Sequence, residues 1–147
     1  MIRSRQFILI LGLIALLLLS VTGAAAQERT GGDRGRNRPE PRITWRPAGV
    51  VQAVAPGQTV QINVTLKSNV DLSNVTLHMP RMLGRVMRAE PRSFARLPAN
   101  TPTRVTFTVH MPADRTEGVG GAVVVTAGDR VIPTPLNVRL PLARPRS

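Results

Sequence analysis

Five arginines lie close together in residues 81 to 98 (RMLGRVMRAEPRSFARLP), and guanidinium groups in such numbers are suited to binding anions. Their spacing of three or four residues matches one face of an α-helix, as in basic helices that bind nucleic acids or membranes. Pro91 interrupts that face, because a proline inside a helix costs about 3 kcal/mol and disfavours helical backbone at Glu90. The sequence therefore predicts at most one helical turn between residues 80 and 89, in which Met82, Leu83, Val86 and Met87 face the core. The five arginines are Arg81, Arg85, Arg88, Arg92 and Arg96.

The chain as a whole is strongly basic. It has 20 basic and 8 acidic residues, which gives a formal net charge of +12. Such a surplus favours anionic partners, such as acidic polysaccharides, lipid head groups or nucleic acids. Without a shared helix face, the five arginines still predict a locally dense positive surface, our candidate surface for an anionic partner. The alternative is that they only solvate an arginine-rich protein, in which Lys67 is the single lysine.

The residues that most often carry catalysis or bind metals do not form a recognisable motif. The chain has no cysteine, and its two histidines, His78 and His110, fall on outward positions of alternating segments, so a zinc site is not predicted. The acids of residues 43 to 142 follow no calcium-loop pattern, and no serine stands in a Gly-x-Ser-x-Gly context. We therefore predict a protein without catalytic residues, metal or cofactor. These acids are Asp71, Glu90, Asp114, Glu117 and Asp129.

Aromatic side chains are scarce, although sugars and unpaired bases usually stack on exposed aromatic rings. Outside the N-terminal apolar run they are Trp45, Phe94 and Phe107. Phe107 falls on an inward position of an alternating segment. We expect Trp45 to cover one end of the folded domain rather than to form an exposed platform for sugars.

The N-terminus has the features of a signal peptide. A basic start is followed by an apolar run from residue 7 to 21, and small residues at Ala24 and Ala26 suit cleavage before Gln27. Residues 1 to 26 are thus predicted to be removed on export to the periplasm, the cell surface or the medium. The alternative is an uncleaved anchor, since residues 7 to 26 reach the length of a membrane-spanning helix. Five arginines between residues 29 and 42 oppose export, because basic residues after an apolar segment resist translocation.

Residues 27 to 42 (QERTGGDRGRNRPEPR) contain no large apolar side chain. Such a segment cannot bury enough surface to offset its ordering entropy, so we predict a disordered basic linker. Residues 143 to 147 are predicted to form a short basic tail.

Alternation of apolar and polar residues begins after the linker and predicts an all-β domain over residues 43 to 142. One segment, TVQINVTLK, places Val60, Ile62, Val64 and Leu66 on one face. Another, RVTFTVHM, places Val105, Phe107, Val109 and Met111 inward. The predicted strands cover residues 59–67, 75–79, 104–111, 122–127 and 135–140.

Turn residues separate these strands. Pro56-Gly57 precedes the first long strand, and residues 127 to 130 (AGDR) predict a hairpin loop in which Gly128 adopts positive φ. Pro133 and Pro135 have no N–H to donate to a sheet, so they predict an edge position or a bulge before the last strand.

Four motifs together resemble the bacterial immunoglobulin-like modules of secreted and cell-surface proteins, in particular the NPCBM-associated type that accompanies glycosidases. They are PGQTVQINV at 56–64, NVTLHMP at 74–80, EPRSFARLPAN at 90–100 and RVTFTVHMPADRTEG at 104–118. The resemblance covers about residues 48 to 142. It implies a two-sheet antiparallel sandwich of about seven strands, in which residues 81 to 98 cross between the sheets and Phe94 and Leu97 fill the core. Antibody-type domains differ by their paired cysteines and tyrosine corner.

The resemblance implies a spacer, an adhesion module or an assembly partner, with no catalytic residue. The leading hypothesis is a non-catalytic exported module of the cell envelope or extracellular space that presents a basic surface to a protein partner. The alternative is a polyanion-binding protein that uses its arginines to hold acidic polysaccharide, lipid head groups or nucleic acid.

We expect the exported protein to begin at Gln27, because Ala24 and Ala26 fit the small side-chain sites of a signal peptidase. N-terminal sequencing or intact mass measurement of the exported chain checks this. A mature protein that begins at Met1 would establish the uncleaved anchor instead.

Overall fold

The structure, a computed structural model, describes residues 38 to 144 of the chain. Several predictions fall outside those residues. They are the hydrophobic N-terminal helix or signal peptide (residues 1 to 26), the cleavage site at Ala24, Ala26 and Gln27, the linker as far as residue 37, and the end of the basic tail. Within the described part, no helix is long and apolar enough to cross a membrane.

Strands make up most of the described residues, which confirms the all-β prediction. A single-turn helix, α1 (Arg81–Gly84), lies between the fourth and fifth strands. The strands in chain order are β1 (Ile43–Arg46), β2 (Gly49–Val51), β3 (Thr59–Ser68), β4 (Leu72–His78), β5 (Met87–Glu90), β6 (Ser93–Leu97), β7 (Thr103–His110), β8 (Val119–Ala127) and β9 (Arg130–Leu140).

The strands of the described chain form two sheets. The four-stranded sheet has the order β1-β3-β7-β5, and the five-stranded sheet has the order β2-β9-β8-β4-β6. Neighbouring strands are antiparallel, except that β2 pairs with β9 in parallel. The parallel pair departs from the expected all-antiparallel arrangement. At three residues, β2 is too short for its alternation to be read from the sequence.

Buried side chains from both sheets form one aliphatic core. In the centre of the four-stranded sheet, Ile62 of β3 stands opposite Phe107 of β7, and Val64 opposite Val105. Phe107 is completely buried. The inward positions predicted for β7 are all buried, whereas Val60 and Ile62 at the start of β3 are half-buried. Burial of every second residue is expected when one face of each sheet packs on the core and the other face is exposed to solvent.

The β8–β9 hairpin confirms the predicted turn. Ala127 pairs with Arg130, and the two residues between them form the loop, where Gly128 has a φ of +57°. A left-handed backbone of this kind costs a glycine less than any other residue. The predicted strand at residues 122 to 127 lies within β8, and because β8 lies between β9 and β4, its continuous apolar run forms a central strand.

The two prolines of β9 lie where a missing N–H is tolerated. The β8–β9 register shifts between Val123 and Val125, which is the bulge opposite Pro133 and Pro135. On the other side of β9, β2 pairs only with residues 137 to 139, so both prolines also lie on an unpaired edge. The prediction of an edge or a bulge is confirmed, but β9 begins earlier than expected, at Arg130.

Residues 87 to 97 pass from the edge of one sheet to the edge of the other. β5 pairs with β7 in the four-stranded sheet, and β6 pairs with β4 in the five-stranded sheet, with Pro91 between them. This is the crossing that the resemblance implied, and Leu97 is buried while Phe94 is half-buried against the core. Beyond a seven-strand plan, β2 and the second strand of the crossing, β6, are additional, so the described chain has nine strands rather than about seven.

Replacing Phe107 by alanine removes a completely buried ring, which leaves a cavity in the core. We expect this change to lower the free energy of unfolding by about 3–5 kcal/mol. Chemical denaturation of the two proteins measures the difference.

Val131→Ala is the matched control, because Val131 is 59% exposed in the neighbouring sheet. We expect it to change stability by less than about 0.5 kcal/mol. Equal losses for the two variants would contradict the core described above.

Candidate functional site: an arginine concavity

Among the described residues, several cations line a depression beside the free edge of β5. Its volume is about 490 Å³, within the range typical of ligand-binding clefts. Four of the five arginines predicted as the anionic-partner surface line it: Arg81, Arg85, Arg88 and Arg92. These four residues and the depression they line are called the arginine concavity below.

The one-turn helix supplies the first two arginines. Gly84 N–H donates to the Pro80 carbonyl oxygen at 2.9 Å, and Val86 N–H donates to the Leu83 carbonyl oxygen at 3.1 Å. Leu83 is completely buried and anchors the turn. Arg81 and Arg85 are four residues apart, so they project from the same side of the turn towards solvent.

The expectation that Met82 faces the core is wrong, since its side chain is 50% exposed. In a helical turn, adjacent side chains point about 100° apart, and here Leu83 takes the inward direction while Met82 points towards solvent. Leu83, Val86 and Met87 are buried as expected.

The strand β5 supplies Arg88, and the two-residue link between β5 and β6 supplies Arg92. Met87 and Ala89 are buried, so Arg88 and Glu90 project outward on alternate positions. The main chain at Arg92 is tied to the five-stranded sheet, because its carbonyl oxygen accepts a hydrogen bond of 2.9 Å from Leu77 N–H. The crossing therefore brings arginines from a helix, an edge strand and a bend to one place.

The electrostatics of the arginine concavity are dominated by positive charge. Glu90 is the one carboxylate among its lining residues. Among the described residues, ion pairs within 4.0 Å join Arg42 to Glu40 and Arg96 to Asp71, and neither involves the arginine concavity. Four arginines and one carboxylate therefore line the arginine concavity.

Arg96, the fifth predicted arginine, lies elsewhere. It projects from β6 opposite Ser73, and its guanidinium is 3.9 Å from the Asp71 carboxylate. Asp71 also accepts a hydrogen bond of 2.8 Å from Ala99 N–H, so it shapes the connection after β6. The sequence placed the five arginines in one group, and the crossing separates the last from the other four.

A glycine that the sequence analysis did not single out holds the arginine concavity in position. A Cβ built on Gly121 of β8 would lie 2.6 Å from Pro80 Cγ and 3.8 Å from Leu83 Cβ. The turn α1 therefore rests directly on the backbone of β8. The signal was present in the pair Gly120-Gly121, because glycine inside a strand often marks the close approach of another segment.

The histidines occupy outward positions, as predicted. His78 is on the five-stranded sheet and its Nε2 lies 2.9 Å from Thr126 Oγ1, whereas His110 is on the four-stranded sheet with Nδ1 2.8 Å from Thr59 Oγ1. The sheets separate the two imidazoles. Across residues 38 to 144, no three side chains of the metal-binding types come together.

Trp45 is buried, as expected, with 5% of its surface exposed. Its indole Nε1–H donates to the Thr134 carbonyl oxygen at 2.9 Å, which joins β1 of one sheet to β9 of the other. A buried indole whose N–H is satisfied serves the fold and offers no platform for a sugar ring.

Comparison of the sequence with protein-family models and with curated proteins finds no match.

Gly121→Ala introduces a methyl group where Pro80 already lies, so α1 must move away from β8. We expect a loss of about 1–3 kcal/mol in the free energy of unfolding. Gly49→Ala is the matched control, since its Cβ would meet its nearest neighbour, the Asn137 carbonyl oxygen, at 3.6 Å. Thermal or chemical denaturation measures the stability of the two variants. Equal stability would contradict the close contact between α1 and the backbone of β8.

Proposed function

We propose that this protein is a non-catalytic, exported interaction module of the cell envelope or extracellular space, and that the arginine concavity binds an anionic partner. One observation carries the proposal. Four arginines from three segments (α1 and its C-cap, β5, and the link to β6) line one depression that has a single carboxylate in its lining.

The chemistry of arginine suits this role. Each guanidinium presents several N–H donors in a planar fork, which matches the paired oxygens of carboxylate, sulfate or phosphate groups. Charges gathered in a cleft focus the electrostatic potential and raise the rate at which oppositely charged partners associate. An anion that enters the arginine concavity meets donors on several sides rather than a flat charged surface.

The arrangement of strands supports an immunoglobulin-like module. Constant-type immunoglobulin domains place strands A, B, E and D in one sheet and C, F and G in the other. If β1, β3, β4, β7, β8 and β9 are taken as A, B, C, E, F and G, β5 takes the place of D, and the sheet orders match. β6 beside β4 and the parallel β2 are additions to that plan. The crossing from β5 to β6 is also where the arginines gather.

Export is supported by the N-terminal pattern described above, and the segment between it and the domain would act as a tether. A module on such a tether can meet a partner over a range of distances. Two partner classes are compatible with the arginine concavity: an acidic surface of another envelope protein, and an anionic polymer.

Reversing two charges in the arginine concavity tests the proposal. We expect Arg85→Glu/Arg88→Glu to elute from a heparin column at clearly lower salt than the wild type, because both changes remove a cation and add a repelling carboxylate. The slope of log affinity against log salt should fall by about two, one for each cation lost.

The control variant is Arg130→Glu/Arg144→Glu, which has the same net charge and alters two exposed arginines away from the arginine concavity. Circular dichroism establishes that both variants fold. Identical elution of the two variants would mean that net charge alone governs binding, and the proposal would fail.

A further inference from the structure

A second group of cations lies on the outer face of the four-stranded sheet. Arg46 of β1 stands opposite Thr65 of β3, and Thr65 stands opposite Arg104 of β7, so these residues form one row across three strands. Lys67 lies two residues further along β3 from Thr65, on the same face. Arg46, Lys67 and Arg104 are called the sheet cations below.

The sheet cations are not neutralised within the described chain. None of them lies within 4.0 Å of a carboxylate of residues 38 to 144. Arg46 and Lys67 line a shallow depression of about 270 Å³ together with two threonines and Pro102. Like charges held this close repel one another, and an anion bound between them relieves that repulsion.

Arg88 connects the sheet cations to the arginine concavity. It lines the concavity and also faces outward from the four-stranded sheet, opposite Thr108. From Thr108 to Arg104 is four residues along β7, or about 13 Å, and β1 lies two strand spacings from β7, or about 10 Å. The outer face of the four-stranded sheet therefore joins the two cationic groups over a distance greater than a small ligand spans.

The surface between the two groups is rich in neutral hydrogen-bonding side chains. Asn63 and Thr106 face outward from neighbouring strands and are joined by a hydrogen bond of 2.8 Å. Gln61 and Thr108 form the neighbouring pair on this outer face. Among the strand positions of this face, Glu90 is the one acid.

We infer that the outer face of the four-stranded sheet continues the arginine concavity as a binding surface for an extended acidic polysaccharide. The inference rests on the proposed function and names the partner class. The cations at both ends would hold acidic groups of the chain, and the amide and hydroxyl side chains between them would bind its sugar hydroxyls.

A polysaccharide fits this face better than a single-stranded nucleic acid. Proteins that bind unpaired strands stack the bases on exposed aromatic side chains. Within the described residues, Trp45 and Phe107 are buried and Phe94 is half-buried, and none of them lies on the outer face of the four-stranded sheet. The side chains that this face offers are charged groups and hydroxyl- or amide-bearing residues, which match acidic sugars.

Three variants that each lose three positive charges test the inference. The sheet variant is Arg46→Gln/Lys67→Gln/Arg104→Gln, and the concavity variant is Arg81→Gln/Arg85→Gln/Arg92→Gln. The control is Arg130→Gln/Arg139→Gln/Arg144→Gln. Circular dichroism first establishes that each variant folds. Calorimetry at fixed ionic strength then measures the binding of a heparin disaccharide, a heparin decasaccharide and an oligo-dT with the same charge as the decasaccharide.

We expect both the sheet variant and the concavity variant to bind the decasaccharide about tenfold or more weakly than the control, because each removes about three ion contacts. The disaccharide is too short to reach both groups of cations. We therefore expect it to bind the concavity variant more weakly than the control, and to bind the sheet variant with the same affinity as the control. We expect oligo-dT to bind the wild type more weakly than the decasaccharide does.

The outcomes separate the two proposals. A sheet variant that binds the decasaccharide as the control does would overturn the extended surface and leave the arginine concavity in place. A concavity variant that binds both saccharides as the control does would overturn the proposed function itself. Oligo-dT binding as tightly as the decasaccharide would show that the face responds to charge alone, which would sink the assignment to a polysaccharide.

Discussion

Burial of alternate side chains from β3 and β7 against those of β8 and β9 is the interaction on which the rest of the domain depends. Ordering each residue costs about 1–2 kcal/mol of backbone entropy, and without a disulfide the offset comes mainly from apolar burial at about 25 cal/mol per Å². Because side chains alternate with a period of two, a shift of one residue would turn every inward valine outward. Because burial fixes which residues face inward, it also fixes the outward positions of the threonines, the asparagine and the arginines.

The crossing between the sheets determines where the arginines lie. Residues 87 to 97 belong to the edge of one sheet and then to the edge of the other, and α1 is held against β8 through the contact between Gly121 and Pro80. Cations that are spread along the chain are thereby gathered around one depression. Two unit charges about 8 Å apart in water repel by roughly 0.5 kcal/mol, which is small beside the energy of apolar burial. A bound anion would reduce this repulsion. This is the physical link between the topology and the proposed binding role.

Strands with long alternation or a continuous apolar run were predictable, and the shortest strands were not. β3 and β7 alternate over eight or more residues, and their inward faces follow from the sequence. β2 has three residues and takes its place because the ordered β9 offers it a partner, a contact that no local pattern encodes. The spacing of the arginines suggests one helix over residues 81 to 98, but Pro91 interrupts it, so only the single turn α1 forms and the chain continues into β5 and β6.

The properties of the candidate site can also be divided into those that the sequence determines and those that the tertiary structure determines. The sequence by itself determined which residues carry charge, which ones alternate outward, and that Pro91 prevents a helix. Only the tertiary structure decided that Arg81, Arg85, Arg88 and Arg92 share a concavity while Arg96 lies beside Asp71, and that Arg46, Lys67 and Arg104 become neighbours. The reason is physical: alternation and breakers act over a few residues, whereas strand order and register, set by long-range burial, determine which distant charges meet.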